Sequence, residues 1–188
     1  MSVPFRDAAE LEAGGTAAFL RIVNGPAEAE RRGALFQVNA RGEPVEFTFN
    51  RVELPASALW RRDDLERQAV KSLAASLFEA TRRTPLVLLC LASEIKPRLF
   101  AEDLEVQIPV CRLATAGDVM APGAGEAAEE RHSGEELTHL FWRPEVPGSE
   151  SPQRRLVAAL AARGLLLEPF ERALAGLTEA LDRGSEEA

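Results

Sequence analysis

The chain has 188 residues, 46% of them hydrophobic and 28% charged, a balance that excludes disorder and allows one domain with an appendage to bury a conventional core. Its net charge of -8 opposes non-specific adhesion to nucleic-acid phosphates and to anionic membranes, so neither partner is expected. No apolar run approaches the roughly 20 residues that span a bilayer, the opening residues carry acids where a signal peptide needs an apolar stretch, and Cys90 and Cys111 are too few for a disulfide framework; a cytoplasmic protein is expected.

Residues 1–15 read as a polar lead-in with a helical turn at 7–12, closed by Gly14 and Gly15. Residues 16–24 and 33–41 are short and rich in β-formers, and a polar stretch separates them, which predicts strands one and two. Gly42, Glu43 and Pro44 supply turn chemistry before residues 45–54. There Val45, Phe47 and Phe49 alternate with Glu46, Thr48 and Asn50, as a third strand paired to the second requires. The apolar parity then moves to Val52 and Leu54, for which a bulge near Asn50 and Arg51 is the expected cause.

Asp63 followed by Glu66 has capping-box spacing and predicts a helix start there. Leu65, Ala69, Leu73 and Leu77 recur every four residues, and Val70, Ala74 and Phe78 widen the stripe, so one broad face should pack on the sheet. Residues 85–92 form a continuous apolar run, the pattern of a central strand covered on both faces. Residues 106–113 predict a fifth strand, and Pro109 places it at an edge because proline donates no ladder hydrogen bond.

Residues 114–132, rich in Gly, Ala and Glu, read as a flexible loop. Ser133 and Glu136 offer a second capping-box spacing before residues 137–142, whose pattern suits either a helical turn or a strand. Ser151 before Pro152 opens a helix that Gly164 closes, and Pro169 opens another that Gly184 closes. The expected fold is therefore mixed α/β, with α+β character: a five-stranded sheet in the order β-β-β-α-β-β and a C-terminal helical hairpin. Residues 1–113 form the core, 114–132 the loop and 133–188 the C-terminal segment.

Chemistry is sparsely marked. Cys90, Cys111, His132 and His139 are the only thiols and imidazoles and show no metal-ligand spacing, so no metal and no cofactor is expected and the cysteines read as small core residues. No phosphate-cradling glycine loop and no nucleophile elbow occurs. The arginine doublets 61–62, 82–83 and 154–155 read as solvated helix faces rather than a nucleic-acid surface.

Three antiparallel strands, a helix and a buried strand are also the opening order of RNase H-like nucleases. That likeness implies carboxylates on the first strand, on the helix and near the end of the fourth strand, holding two divalent cations. Glu79 and Glu94 could serve for the latter two and Glu46 could join them, but the middle of strand one is Leu20-Arg21-Ile22, without an acid. The leading expectation is therefore a non-catalytic interaction or assembly domain, a homodimer or a partner of another protein. Its interface would be the apolar stripes Leu156 and Leu160 on one helix and Phe170, Leu174, Leu177 and Leu181 on the other. The alternative is a metal-dependent phosphoester or nucleic-acid hydrolase using Glu46, Glu79 and Glu94.

Overall fold

The computed structural model describes residues 15–55, 59–115, 121–133 and 136–186. Its strands are β1 (Ala17–Asn24), β2 (Glu30–Val38), β3 (Pro44–Glu53), β4 (Val87–Leu91), β5 (Val110–Thr115), β6 (Ala127–Ser133) and β7 (Glu136–Arg143). The helices are α1 (Arg62–Ala80), α2 (Pro152–Ala161) and α3 (Glu168–Glu186), with a π-helical turn at Leu99–Asp103. One mixed sheet runs β3-β2-β1-β4-β5-β7-β6. The expected five-stranded sheet is thus corrected to seven strands with three helices. The predicted helical turn at 7–12 lies outside the described residues.

β4 occupies the middle of the sheet, parallel to β1 on one side and to β5 on the other. Its unbroken apolar run follows from this position. Leu88 and Cys90 face α1 together with Leu20, Leu35, Leu73 and Leu77, whereas Val87 and Leu89 face the C-terminal helices together with Phe19, Trp142 and Phe170. α1 settles closely on β2 because Gly33 lies beneath it: a Cβ there would stand 3.0 Å from Leu73 Cδ2 and 3.1 Å from Leu77 Cδ1.

Several local expectations change for identifiable reasons. The parity shift in β3 involves no bulge at Asn50, since the β2–β3 register is continuous from Glu30–Glu53 to Gln37–Glu46 and shifts only between Gln37 and Val38. Instead the covered face changes along the strand: Phe47 packs with the C-terminal helices and Val52 with α1. β5 is internal, because Pro109 precedes the strand and its carbonyl accepts from the Leu88 N–H. The stretch read as a loop contains β6, and the ambiguous segment after it is β7, which pairs with both β5 and β6. Asp63 does not cap α1; the N-cap is Arg61, with no side-chain cap, and Glu66 turns to arginines instead.

The C-terminal stripes are absorbed within the protomer. Leu156, Leu160 and Phe170 join the core beneath the sheet, Leu177 and Leu181 pack on Ala34, and Leu174 is half-buried. Phe170 meets Phe19 edge to face at 5.0 Å. The proposed interface residues are therefore core residues in the main. The start of α2 follows the sequence reading, since Ser151 Oγ accepts from the Arg154 N–H at 3.2 Å and Pro152 follows it. Ser151→Ala should cost about 1 kcal/mol, read as a lower urea midpoint at unchanged slope; an unchanged midpoint would show that the cap contributes nothing. No helix among the described residues is long and apolar enough to cross a membrane.

Candidate functional site

Loops that leave the carboxyl ends of adjacent parallel strands build a crevice, the usual ligand position in open α/β sheets. Here β4 ends at Leu91, just past the Leu20–Cys90 pair, while β1 runs on to Asn24, and the segment after β4 continues through Glu94, Lys96 and Arg98 toward the N-terminus of α1. Between them lies a cleft of about 330 Å³. Its floor is Ile22, Val23 and Asn24 of β1, and its walls come from Arg31, from the first turns of α1 and from the segment Glu94 to Asp103.

The charges in this cleft are mostly paired. Arg21 Nε donates to Glu94 Oε2 at 3.0 Å while its other terminal nitrogen lies 2.6 Å from Glu94 Oε1, and the Ile22 N–H reaches the same carboxylate at 3.4 Å. Arg21 also donates to the Phe170 carbonyl at 3.0 Å, so one guanidinium ties β1, the segment after β4 and α3. Burial raises the Glu94 carboxyl above its ordinary range even though Arg21 and the Ile22 N–H pull it down. Glu66 accepts from Arg31 and Arg62, each at 3.2 Å, and Arg67 holds Asp103 through Nε at 2.8 Å. Asp63, Lys96 and Arg98 line the same cleft outside these pairs.

A buried ion pair buttresses the cleft from behind. Arg112 donates to both oxygens of Glu126 at 2.7 and 2.8 Å and to the Ile95 carbonyl at 3.0 Å, and Glu126 also accepts from the Gly123 N–H at 2.7 Å. Gly123 lies so close to Pro97 that a Cβ there would collide with the ring. The segment carrying Lys96 and Arg98 is thereby held at Ile95 and at Pro97.

The carboxylates suggested for a metal do not converge. Glu46 accepts from the Arg82 and Arg83 N–H groups beyond the C-terminus of α1, and its strand partner Gln37 pairs with Ala18 near the start of β1. Glu94 binds at Arg21 and Ile22, about 13 Å further along β1 at ~3.3 Å per residue. Glu79 is exposed in the last turn of α1. Its distance from Asp63 along the helix is about 24 Å at ~1.5 Å per residue. Among the described residues no group of three or more acids, histidines or cysteines is arranged to hold a metal ion.

Cys90 and Cys111 are buried free thiols on opposite faces of the sheet. Burial pushes both well above the ordinary thiol range, which leaves them unreactive. A second cavity of about 260 Å³, mainly apolar and bordered by Phe78, Arg83 and Val106, lies at the opposite end of α1. Arg31, Asp63, Lys96, Arg98 and Asp103 are cleft residues that sequence reasoning missed. Lys96, Arg98 and Asp103 had one usable signal, their position after the central parallel strand β4, whereas Arg31 in β2 and Asp63 in α1 had none.

No protein-family model matches the chain, and no curated protein matches it. Among solved structures, endonuclease V from Streptomyces avermitilis is similar over 96% of this chain and 96% of its own length, with 10% identity and a TM-score of 0.52. Endonuclease V from Bacillus subtilis is similar over 92% of this chain and 82% of its own length, with 10% identity and a TM-score of 0.50. At that identity the likeness is one of fold: the sheet, its order of strands and its flanking helices follow an architecture seen in these two endonuclease structures.

Proposed function

We propose that the chain binds nucleic acid through the cleft at the carboxyl ends of β1 and β4. The observation that carries this is the pair Lys96 and Arg98, which line the crevice outside its ion pairs, in a cleft whose five cations outnumber its four acids although the overall charge of the chain is -8. Net charge averages the whole surface, whereas a phosphate senses charges within a Debye length of about 8 Å at physiological salt. The N-terminus of α1 adds its positive dipole end to the same wall. The shared fold agrees, since both similar structures are endonucleases.

This corrects the expectation of a non-catalytic, self-associating assembly domain for which nucleic acid was an unlikely partner. Its motive was surplus apolar helix surface, and the sheet covers that surface. Its charge argument treated a local field as if it were the global one. A reducing, cytoplasmic setting remains part of the proposal, supported by two buried free cysteines.

A second reading, metal-dependent hydrolysis of the bound strand, is favoured by the endonuclease-like fold and by Asp63, Glu66, Glu94 and Asp103 in one cleft. The donor set fits a pair of divalent cations poorly. Glu66, Glu94 and Asp103 each already face an arginine, and only Asp63 stands outside such a pair. No hydrolytic step through a metal follows from these side chains.

Fluorescence anisotropy of labelled DNA and RNA over a salt series tests the main reading. The double variant Lys96→Glu/Arg98→Glu should weaken binding about tenfold or more and lower the log–log salt slope by about two. Absence of saturable, salt-dependent binding would sink it. The same mixtures, supplied with magnesium or manganese and run on a gel, test the second: cleavage lost in Asp63→Asn would establish hydrolysis.

A further inference from the structure

Trp60 is 61% exposed, in a chain that buries its other tryptophan, Trp142, completely. Trp142 has a structural use, since its Nε1–H donates to Glu129 Oε2 at 3.0 Å inside the core. Trp60 has no comparable partner among the described residues, and an indole left in water forgoes a large hydrophobic stabilisation. Its place in the chain is specific. Arg61, the extended N-cap of α1, follows it directly, and Arg62 then enters the cleft wall opposite Lys96 and Arg98. An exposed aromatic ring near a crevice that presents Lys96 and Arg98 combines the two features that bind single-stranded nucleic acid: charge for the backbone and a π-face for a base.

We propose that Trp60 is a stacking platform for an unpaired base of a single strand whose phosphates enter the cleft past Arg62, Lys96 and Arg98. The proposal deepens the nucleic-acid reading and rests on it. Two observations favour a single strand over a duplex. Bases within a duplex already stack on one another and offer no free face to an indole. A cleft of about 330 Å³ accommodates a nucleotide-sized group, not a double helix. Lys96 and Arg98, which line the cleft outside its ion pairs, favour a polyanion over an apolar protein surface as the occupant.

The composition supplies the measurement. The chain contains no tyrosine and two tryptophans, so emission from a solvent-accessible indole reports Trp60 alone. Titration of the whole chain with an oligothymidylate should quench and blue-shift that emission, and the matched duplex should do so far less. Trp60→Ala should weaken single-strand binding about five- to hundredfold while leaving the salt slope unchanged, whereas Lys96→Glu/Arg98→Glu lowers the slope. Trp60→Phe, which keeps a ring, should retain most of the affinity. Single-strand binding that depends on Lys96 and Arg98 but leaves the emission and the Trp60→Ala affinity unchanged overturns the stacking role alone. Equal affinity for duplex and single strand also overturns it. Absence of binding to any of these polymers overturns this proposal and the cleft reading together.

Discussion

Glu126→Ala is expected to destabilise the chain by about 3–5 kcal/mol, because it leaves a buried guanidinium without its counter-charge. The Arg112 and Glu126 side chains are 2% and 3% exposed, and Arg112 also stacks over the Phe141 ring at 5.4 Å. Removing both charges should cost less than removing one, so Arg112→Met/Glu126→Leu is expected to be more stable than Glu126→Ala. Equal and additive losses in a double-mutant cycle would show that the two groups do not act as a pair. The pH dependence has a defined sign. Burial by itself would raise the Glu126 carboxyl, but the Arg112 hydrogen bond, the Gly123 N–H and the charges of Arg112 and Arg143 outweigh it, and the net shift is downward. The stabilisation is therefore complete above the unfolded carboxyl range near pH 4.5 and is lost as pH falls through the lower folded value. Urea midpoints of the parent should fall more steeply with acid than those of Glu126→Gln. Because Glu126 also positions the loop packed on Pro97, nucleic-acid affinity should drop in Glu126→Ala even where the protein remains folded.

How legible the sequence was depended on whether the signal was local. The stripe Ala69, Leu73, Ala74 and Leu77, the doubly covered β4 and the Ser151 cap were readable because periodicity and capping chemistry sit within a few residues. β6 was not, since Ala127–Ser133 is polar and its strand state comes from pairing with β7 rather than from propensity. Pro109 misled because proline restricts its own position and not the strand that begins at the next residue. The candidate site was the least legible part. Arg31, Asp63, Glu94 and Arg98 are spread over the whole first half of the chain and meet only where parallel strands end. Arg62 was seen, as half of a doublet, but a doublet carries no information about what faces it. Counting charges over the full chain then pointed away from nucleic acid, because the excess of acids lies outside the cleft, where five cations face four acids.

Leu177→Glu should cost more than about 4 kcal/mol at neutral pH, because it combines a lost buried leucine with a carboxylate in an apolar site. Leu177 is 1% exposed and packs with Ala34 and Leu181 between Val23 and Phe47. The helix packs closely on β3 at this point, with little space for an added group, since a Cβ on neighbouring Gly176 would already stand 3.1 Å from the Phe47 ring. No cation among these neighbours compensates the charge, so the introduced carboxyl must either pull the N-terminal half of α3 off β2 and β3 or take up a proton. Its folded-state affinity for that proton is raised above the ordinary value near 4.3. The charge penalty is consequently greatest above the raised value, fades as pH falls from it toward the unfolded one and is gone below that, opposite in sense to the acid response expected of Glu126. Leu174→Glu, half-buried on the same helix, should cost a small fraction as much. This contrast separates core from seam. A stripe that served a second chain would turn Leu177→Glu into a well-folded monomer from a dimeric parent, with an unchanged unfolding midpoint, whereas a stripe packed on its own sheet lowers that midpoint steeply with no change of mass in light scattering. The buried contacts place the loss in the midpoint.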